Sequence, residues 1–281
     1  MQKFKTKLSA LRPLRPFLLL WSTQALSALG SGMTSFALVI WAYGQSGSAL
    51  STALLSICSY APYVLLSIFA GALSDRWNKK VTMLVCDLFA AGTTVAVFLL
   101  LHTGRLAVWH LYALNILNGL MNTVQQPASE VASTLLIPKQ HFQRTSGLRS
   151  LSSAVNSVLT PIAATAVLGL FGLGAVLVLD LLTFALAFCT LLFFIRIPKS
   201  GGDREKEPVL RAAGRGLRYL AENRGILLLI LFLAAINLIA SIYNAALPAM
   251  LLSRPNGGEG ALGVVNTCAG LAMLAGSLLV S

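Results

Sequence analysis

Long apolar stretches with few or no lysines and arginines are the feature that most constrains how this chain can fold. A bilayer core about 30 Å thick needs roughly 20 apolar residues in each helix that crosses it. Eight windows of about that length follow one another along the 281 residues, at approximately 17–43, 51–73, 81–101, 108–129, 146–168, 175–195, 226–252 and 261–280. They are apolar throughout, whereas the strands of a membrane barrel alternate in polarity over roughly ten residues. The sequence therefore predicts an all-α membrane protein with about eight transmembrane helices.

The basic residues indicate how these helices are oriented. If the N-terminus is cytoplasmic, 19 of the 21 lysines and arginines fall on the cytoplasmic side, and only Arg105 and Arg254 fall outside. Such an asymmetry is the usual determinant of membrane topology. It predicts a multi-pass protein of the cell membrane, and it accounts for the net charge of +12 without a nucleic-acid partner.

The spacing of the windows predicts two membrane domains joined by a cytoplasmic loop. Six windows with short connections form an N-terminal six-helix domain, residues 1–195. Residues 196–225 are polar and basic, and their arginines recur at helical spacing. That pattern is typical of an amphipathic helix on the inner leaflet or of a solvated linker helix. Residues 226–281 then begin a second domain with two helices.

A short internal repeat relates the two domains. Residues 70–73 (Ala-Gly-Ala-Leu) resemble residues 275–278 (Ala-Gly-Ser-Leu), at the ends of the second and eighth windows. The eighth window therefore corresponds to the second, and the sequence reaches Ser281 after two helices of the second domain. We expect that domain to be only partly present.

The loop between the second and third windows has the most specific local pattern. It contains Gly71, Asp75, Arg76, Lys79 and Lys80 in a run that ends one helix and begins the next. A glycine allows another helix to approach closely, an acid can cap the positive end of that helix, and the cations can pair with acids or lipid phosphates. The pattern predicts a conformational latch. The alternative is an ordinary positively charged cytoplasmic loop.

This loop resembles the signature loop of the major facilitator superfamily, except that Asn78 stands where glycine is usual. Asparagine tolerates a left-handed turn better than most residues do, so we expect the turn to be kept. Further phrases resemble the macrolide-efflux and enterobactin-exporter branch of that superfamily. They are Leu20-Trp21, Leu29-Gly30-Ser31, Gly47-Ser48-Ala49, Asp180, and Gly216 through Leu220.

The resemblance implies the major facilitator fold, of which about 8 of an expected 12 transmembrane helices are present. It also implies secondary active export of small amphiphilic compounds, of drug, macrolide or siderophore type. The expected mechanism is alternating access with proton antiport.

Ionisable residues inside a membrane are costly and are usually functional. Asp87 lies within the third window, and Glu130 and Arg149 flank the same side of the membrane on the fourth and fifth. We expect these three to form a cytoplasmic ionic gate with Asp75 and Arg76. Asp180 lies nearer the outer side of the sixth window and is the better candidate for a proton or substrate site. Simple pairing between helices would explain isolated acids as well.

Polar or soft side chains near mid-membrane are candidates for the substrate cavity, although such residues also join or fill the space between helices. The candidates are Gln24, Met33, Phe36, Asn115, Asn118, Asn237 and Tyr243. With few charges, this cavity would suit lipophilic or cationic substrates.

Enzyme and cofactor signatures are absent from the sequence. It contains no G-x-x-x-x-G-K-[ST] phosphate loop, no HExxH or CxxC metal pattern, and no G-x-S-x-G nucleophile motif. We therefore expect no enzymatic activity, no metal and no cofactor. Two alternatives to export stay open. One is a lysolipid flippase on the same fold, and the other is a non-transporting membrane scaffold, or half-protein, that associates with a partner subunit.

Overall fold

The computed structural model describes residues 15–137, 142–198, 214, 218–253 and 258–280, and within these ranges the secondary structure is helical, without strands. The helices are α1 (Arg15–Ser46), α2 (Ala49–Arg76), α3 (Lys79–His102), α4 (Val108–Leu136), α5 and α6 within Phe142–Cys189, α7 (Arg224–Leu252) and α8 (Glu259–Val280). Each predicted window coincides with one of these helices. The all-helical prediction is therefore confirmed.

The stretch Phe142–Cys189 is two helices separated at Gly172. Gly172 has φ 78° and ψ 177°, a backbone conformation that is accessible to glycine and strained for other residues. It divides the stretch into α5, residues 142–171, and α6, residues 173–189. A π-helical turn, Thr190–Phe194, ends α6. The sharp turn returns the chain through the bilayer without a long loop.

Five helical stretches of the described chain are long and apolar enough to span a membrane. They are Arg15–Ser46, Leu50–Ser67, Lys79–His102, Gly147–Phe194 and Arg224–Leu252. The fourth of these contains two predicted windows because it runs through Gly172. Helix α4 is not among them because it carries many amide side chains. Helix α8 is not among them because its apolar stretch, Gly260–Ala272, is shorter than a membrane span. Polar side chains on a helix of this length can be tolerated where they face other helices.

The start of α3 corrects one detail of the sequence interpretation. Asn78 has φ −66° and ψ 115°, so its backbone is extended and not left-handed. Its side-chain Oδ1 accepts hydrogen bonds from the backbone N–H groups of Lys80 (3.0 Å) and Val81 (3.4 Å). Asn78 is an N-cap, a position where asparagine is among the most favourable residues.

Packing in the first six helices follows two main contacts: α1 lies along α5 and α6, and α2 lies along α4. Two apolar clusters fill the space between these pairs. One contains Met33, Ala37, Leu55, Leu111, Ala164 and Leu177, and the other contains Leu20, Met83, Ala128, Ala132, Leu191 and Ile195. Large apolar side chains are exposed over the outer surfaces of the bundle, as lipid-facing surfaces require.

The last two helices contact this bundle unequally. Helix α8 packs closely against α5, whereas the side chains of α7 from residue 228 to 244 are exposed. Near its C-terminal end α7 joins a small cluster in which Leu247 packs with Ile40 of α1 and Leu262 of α8.

Candidate functional site

A cleft of about 200 Å³ opens between α1, α4 and α5. It lies at the end of the bundle where α1 and α5 begin and α4 ends. Its walls combine aromatic, aliphatic and hydroxyl-bearing side chains. The lining residues are Phe17, Leu20, Trp21, Gln24, Ala25, Ala28, Ser129, Ser133, Arg149, Ser152, Ser153 and Asn156.

Three residues of this lining have hydrogen-bond donors that lack an acceptor in the described chain. Arg149 is exposed, and it makes no ion pair or hydrogen bond with another described residue. Trp21 Nε1 and Gln24 Nε2 are buried, and they too lack an acceptor in the described chain. The amide of Asn156, by contrast, donates to the backbone carbonyl of Ala25 (3.1 Å) and holds α5 against α1. Exposed Arg149 is therefore the charged donor that the cleft offers to a ligand.

Asp87 on α3 is buried beside two glutamines, with 8% of its surface exposed. The amide of Gln125 on α4 donates to Asp87 Oδ1, and the side chain of Gln24 on α1 lies beside the same carboxylate. Asp87 Oδ2 has no hydrogen-bond partner in the described parts of the chain. Gln24 also lines the cleft, so it separates the cleft from the carboxylate.

Asp180 on α6 is more completely paired, with 4% of its surface exposed. Its Oδ1 accepts a hydrogen bond from Ser31 Oγ of α1 (3.0 Å), and its Oδ2 accepts one from Thr94 Oγ1 of α3 (3.1 Å). Gly30 leaves room for this contact, because a Cβ there would come within 3.2 Å of Asp180 Oδ1. Both carboxylate oxygens of Asp180 are thus hydrogen-bonded, whereas one oxygen of Asp87 has no partner in the described chain.

The residues of the predicted ionic gate lie in different environments. Glu130 and Arg149 are exposed, whereas Asp87 is buried. An ion pair joins Arg218 and Glu222 on an exposed helical turn, with 3.0 Å between Nε and Oε1. Asp87 is thus held by the amide of Gln125 in this conformation.

The predicted latch residues lie at the junction of α2 and α3. The backbone of residues 71–76, which include Gly71, forms the end of α2, and the side chains of Asp75 and Arg76 lie outside the described ones. Lys79 is buried, and it is engaged in an interaction. Lys80 Nζ donates to the carbonyl oxygens of Leu192 (2.8 Å) and Ile195 (2.7 Å), so this cation binds the negative C-terminal end of α6.

Among the remaining cavity candidates, only Gln24 lines the cleft. Met33 is 6% exposed in the apolar core, and Phe36 packs beside it. Asn115 donates to Leu111 of its own helix, and Asn118 Oδ1 accepts a hydrogen bond from Thr93 of α3. On α7, Asn237 and Tyr243 are exposed.

Most residues of the cleft were not among the cavity candidates predicted from the sequence, although their spacing along α5 indicates a shared polar face. Arg149, Ser152, Ser153 and Asn156 recur at i, i+3, i+4 and i+7, which places them on one face of α5. A polar stripe of that kind within an apolar window indicates a surface turned away from lipid.

Comparisons with known proteins agree with the family resemblance. The sequence profile described as Major Facilitator Superfamily matches residues 20–281. Macrolide efflux protein A of Streptococcus pyogenes is 24% identical over 267 residues, which cover 94% of this chain and 65% of that protein. Macrolide efflux protein A of Enterococcus faecalis is 24% identical over 237 residues, covering 83% of this chain and 72% of that protein. The uncharacterized MFS-type transporter YfiS of Bacillus subtilis is 24% identical over 205 residues, covering 72% and 48%. This chain thus spans less than two thirds of the length of the first of these relatives.

Proposed function

We propose that this chain, which belongs to the Major Facilitator Superfamily, exports small amphiphilic molecules by secondary active transport. Members of that family are membrane transporters and not enzymes, and several apolar helices make this chain a multi-pass membrane protein. Export is supported by the relatives named macrolide efflux protein A. We place the protein in the cell membrane with a cytoplasmic N-terminus, because this orientation puts nearly all basic residues inside.

The observation that carries the proposal is the cleft between α1, α4 and α5. Phe17, Leu20 and Trp21 offer apolar surface, and Arg149 and the serines offer polar contacts within the same space. Ligand sites in proteins combine apolar walls with a few convergent polar groups in this way. At the predicted cytoplasmic end of the bundle, the cleft is suited to receive an amphiphile from inside the cell.

Alternating access requires two domains that move against each other. We propose residues 1–195 and 226–281 as parts of these domains, joined by the loop 196–225. The close contact of α8 with α5 supports this division, because it is the main surface between the two parts. We assign the latch to the junction of α2 and α3, where Lys80 already ties α3 to the end of α6.

Coupling to protons would need a carboxyl group that can exchange a proton with its surroundings. We assign this role to Asp87, because its Oδ2 is unpartnered in the described chain and Gln24 links it to the cleft. Asp180 is the less suitable group, since both of its oxygens already accept hydrogen bonds.

The test is export by the protein as its gene encodes it, reconstituted in vesicles with an imposed proton gradient. Wild type should move a macrolide or a fluorescent amphiphile against its concentration gradient, and Asp87→Asn should reduce gradient-driven transport by about tenfold or more. Asp180→Asn is the matched control, and it should retain transport. Vesicles that move neither compound would refute export. Equal transport by both variants would remove Asp87 from the coupling mechanism.

A further inference from the structure

We propose that the cleft binds an acidic group, a carboxylate or a phosphate, so that amphiphilic acids are preferred over cations as substrates. The inference rests on the proposed export function and narrows its substrate class. It departs from the lipophilic or cationic substrates that the scarcity of charges predicted.

The charge that lines the cleft is positive. Arg149 is the one charged side chain among the lining residues of the described chain, and no carboxylate lines the space. Glu130 follows Ser129 on α4, but it is exposed and does not contribute to the wall. Asp87 lies behind Gln24 and faces Gln125. A cationic ligand would meet an unpaired guanidinium here, whereas an anion would pair with it.

The cleft also presents hydrogen-bond donors to its open space. The guanidinium of Arg149 has no acceptor in the described residues, and Trp21 Nε1 is buried without one. Trp21 Nε1 is closed off from the open space, whereas the exposed guanidinium of Arg149 can reach a ligand oxygen. The hydroxyls of Ser129, Ser133, Ser152 and Ser153 surround the same space and can donate to further oxygens.

The size of the cleft and its apolar walls indicate the structure of the rest of the ligand. About 200 Å³ is the space of roughly six or seven water molecules, which is enough for an acidic head and a few carbons. Phe17, Leu20, Ala25 and Ala28 present apolar surface beside the donors. A longer apolar tail would extend out of the open cleft. The acidic head could belong to a soluble amphiphile or to a membrane lipid.

Binding to the protein as its gene encodes it, held in phosphatidylcholine nanodiscs, tests the proposal. The probes are octyl phosphate and octyltrimethylammonium, which share one tail and differ in head-group charge. Wild type should bind octyl phosphate more tightly by about tenfold or more, the usual size of a charge-assisted hydrogen bond. Arg149→Gln should abolish this preference, and Arg149→Lys should keep part of it. Arg196→Gln, at an exposed cation outside the cleft, should have no effect.

A second variant separates ligand binding from folding. Ser153→Ala removes a hydroxyl donor from the wall of the cleft, so it should weaken octyl phosphate binding and leave octyltrimethylammonium binding unchanged. Adding phosphatidic acid to the nanodiscs distinguishes the two sources of the head group. If phosphatidic acid competes with octyl phosphate, the acidic head group belongs to a lipid. If it does not compete, the head group belongs to a soluble amphiphile.

One outcome would contradict the preference for acids, and a different outcome would contradict the export function. Equal affinity of wild type for the two probes, or an unchanged preference in Arg149→Gln, overturns the acidic-substrate inference even if export of neutral compounds is observed. Selective acid binding without export of any compound contradicts the proposed function and leaves the binding site in place.

Discussion

Asp180 joins three helices through two hydroxyl groups. Ser31 comes from α1 and Thr94 from α3, and both donate to the carboxylate on α6. Inside a bilayer there is little water to replace such partners, so the acid and the hydroxyls depend on one another. This arrangement is typical of a residue that holds helices together.

We expect Asp180→Ala to lower the stability of the protein by about 1–3 kcal/mol, because it leaves the hydroxyls of Ser31 and Thr94 without their acceptor. Asp180→Asn keeps one acceptor oxygen and should have a smaller effect. The measurement is the midpoint of thermal unfolding in detergent, with export followed in parallel. Loss of export in Asp180→Asn at unchanged stability would instead identify Asp180 as the proton site.

The sequence indicates both intramembrane acids, Asp87 and Asp180, but not their hydrogen-bond partners. Ser31 and Asp180 are 149 positions apart, and Thr94 and Asp180 are 86 apart. Gln125 reaches Asp87 across 38 positions. Partners at such separations leave no local pattern around the acid, so the sequence could not distinguish the paired carboxylate from the one with a free oxygen.

At the level of helices, glycine decides how closely α8 approaches α5. A Cβ at Gly263 would lie 2.7 Å from Thr165 Oγ1, and one at Gly270 would lie 2.8 Å from the backbone oxygen of Ser157. The two glycines are seven residues apart and therefore occupy one face of α8. A similar contact brings Gly119 of α4 against the backbone of Ser59 on α2.

Gly270→Ala should push α8 away from α5, because the added methyl group would meet backbone atoms, which cannot turn aside. We expect lower thermal stability and weaker export. Gly276→Ala is the matched control, since a Cβ at Gly276 meets nothing within 4 Å. Replacing that glycine should be neutral or stabilise the helix by up to about 1 kcal/mol. Equal stability of the two variants would contradict the close packing.

The sequence could not separate these two glycines. Both lie in the same apolar helix, and Gly276 even belongs to the internal repeat that relates the two domains. The two glycines differ in their surroundings, because Gly270 lies against α5 and Gly276 does not. The cap at Asn78 was likewise missed because it depends on backbone angles that several turn types would allow.

For the molecule as a whole, one end of the bundle gathers the beginnings of α1, α3 and α5 and the ends of α2, α4 and α6. Arg149 and Lys80 lie at this end, and the cleft opens there. The turn between α3 and α4, with Arg105, lies at the opposite end.

The predicted orientation can be measured by labelling single cysteines in intact cells. After Cys58, Cys86, Cys189 and Cys268 are replaced, a cysteine at exposed Arg105 should react with an impermeant maleimide from outside. A cysteine at exposed Trp77 should react only after the membrane is permeabilised. The opposite labelling pattern would reverse the topology and place the cleft on the outer side.

The sequence alone determined the number and type of the helices, the turn positions to within a few residues, and the family. Each apolar window satisfies its own backbone hydrogen bonds within one helix, so the evidence for it lies within about 20 adjacent residues. The tertiary structure decided which acid is paired, which glycines meet a neighbour, and where Arg149, Trp21 and Gln24 converge. These features require residues from separate helices to come together, and their positions depend on how the helices pack.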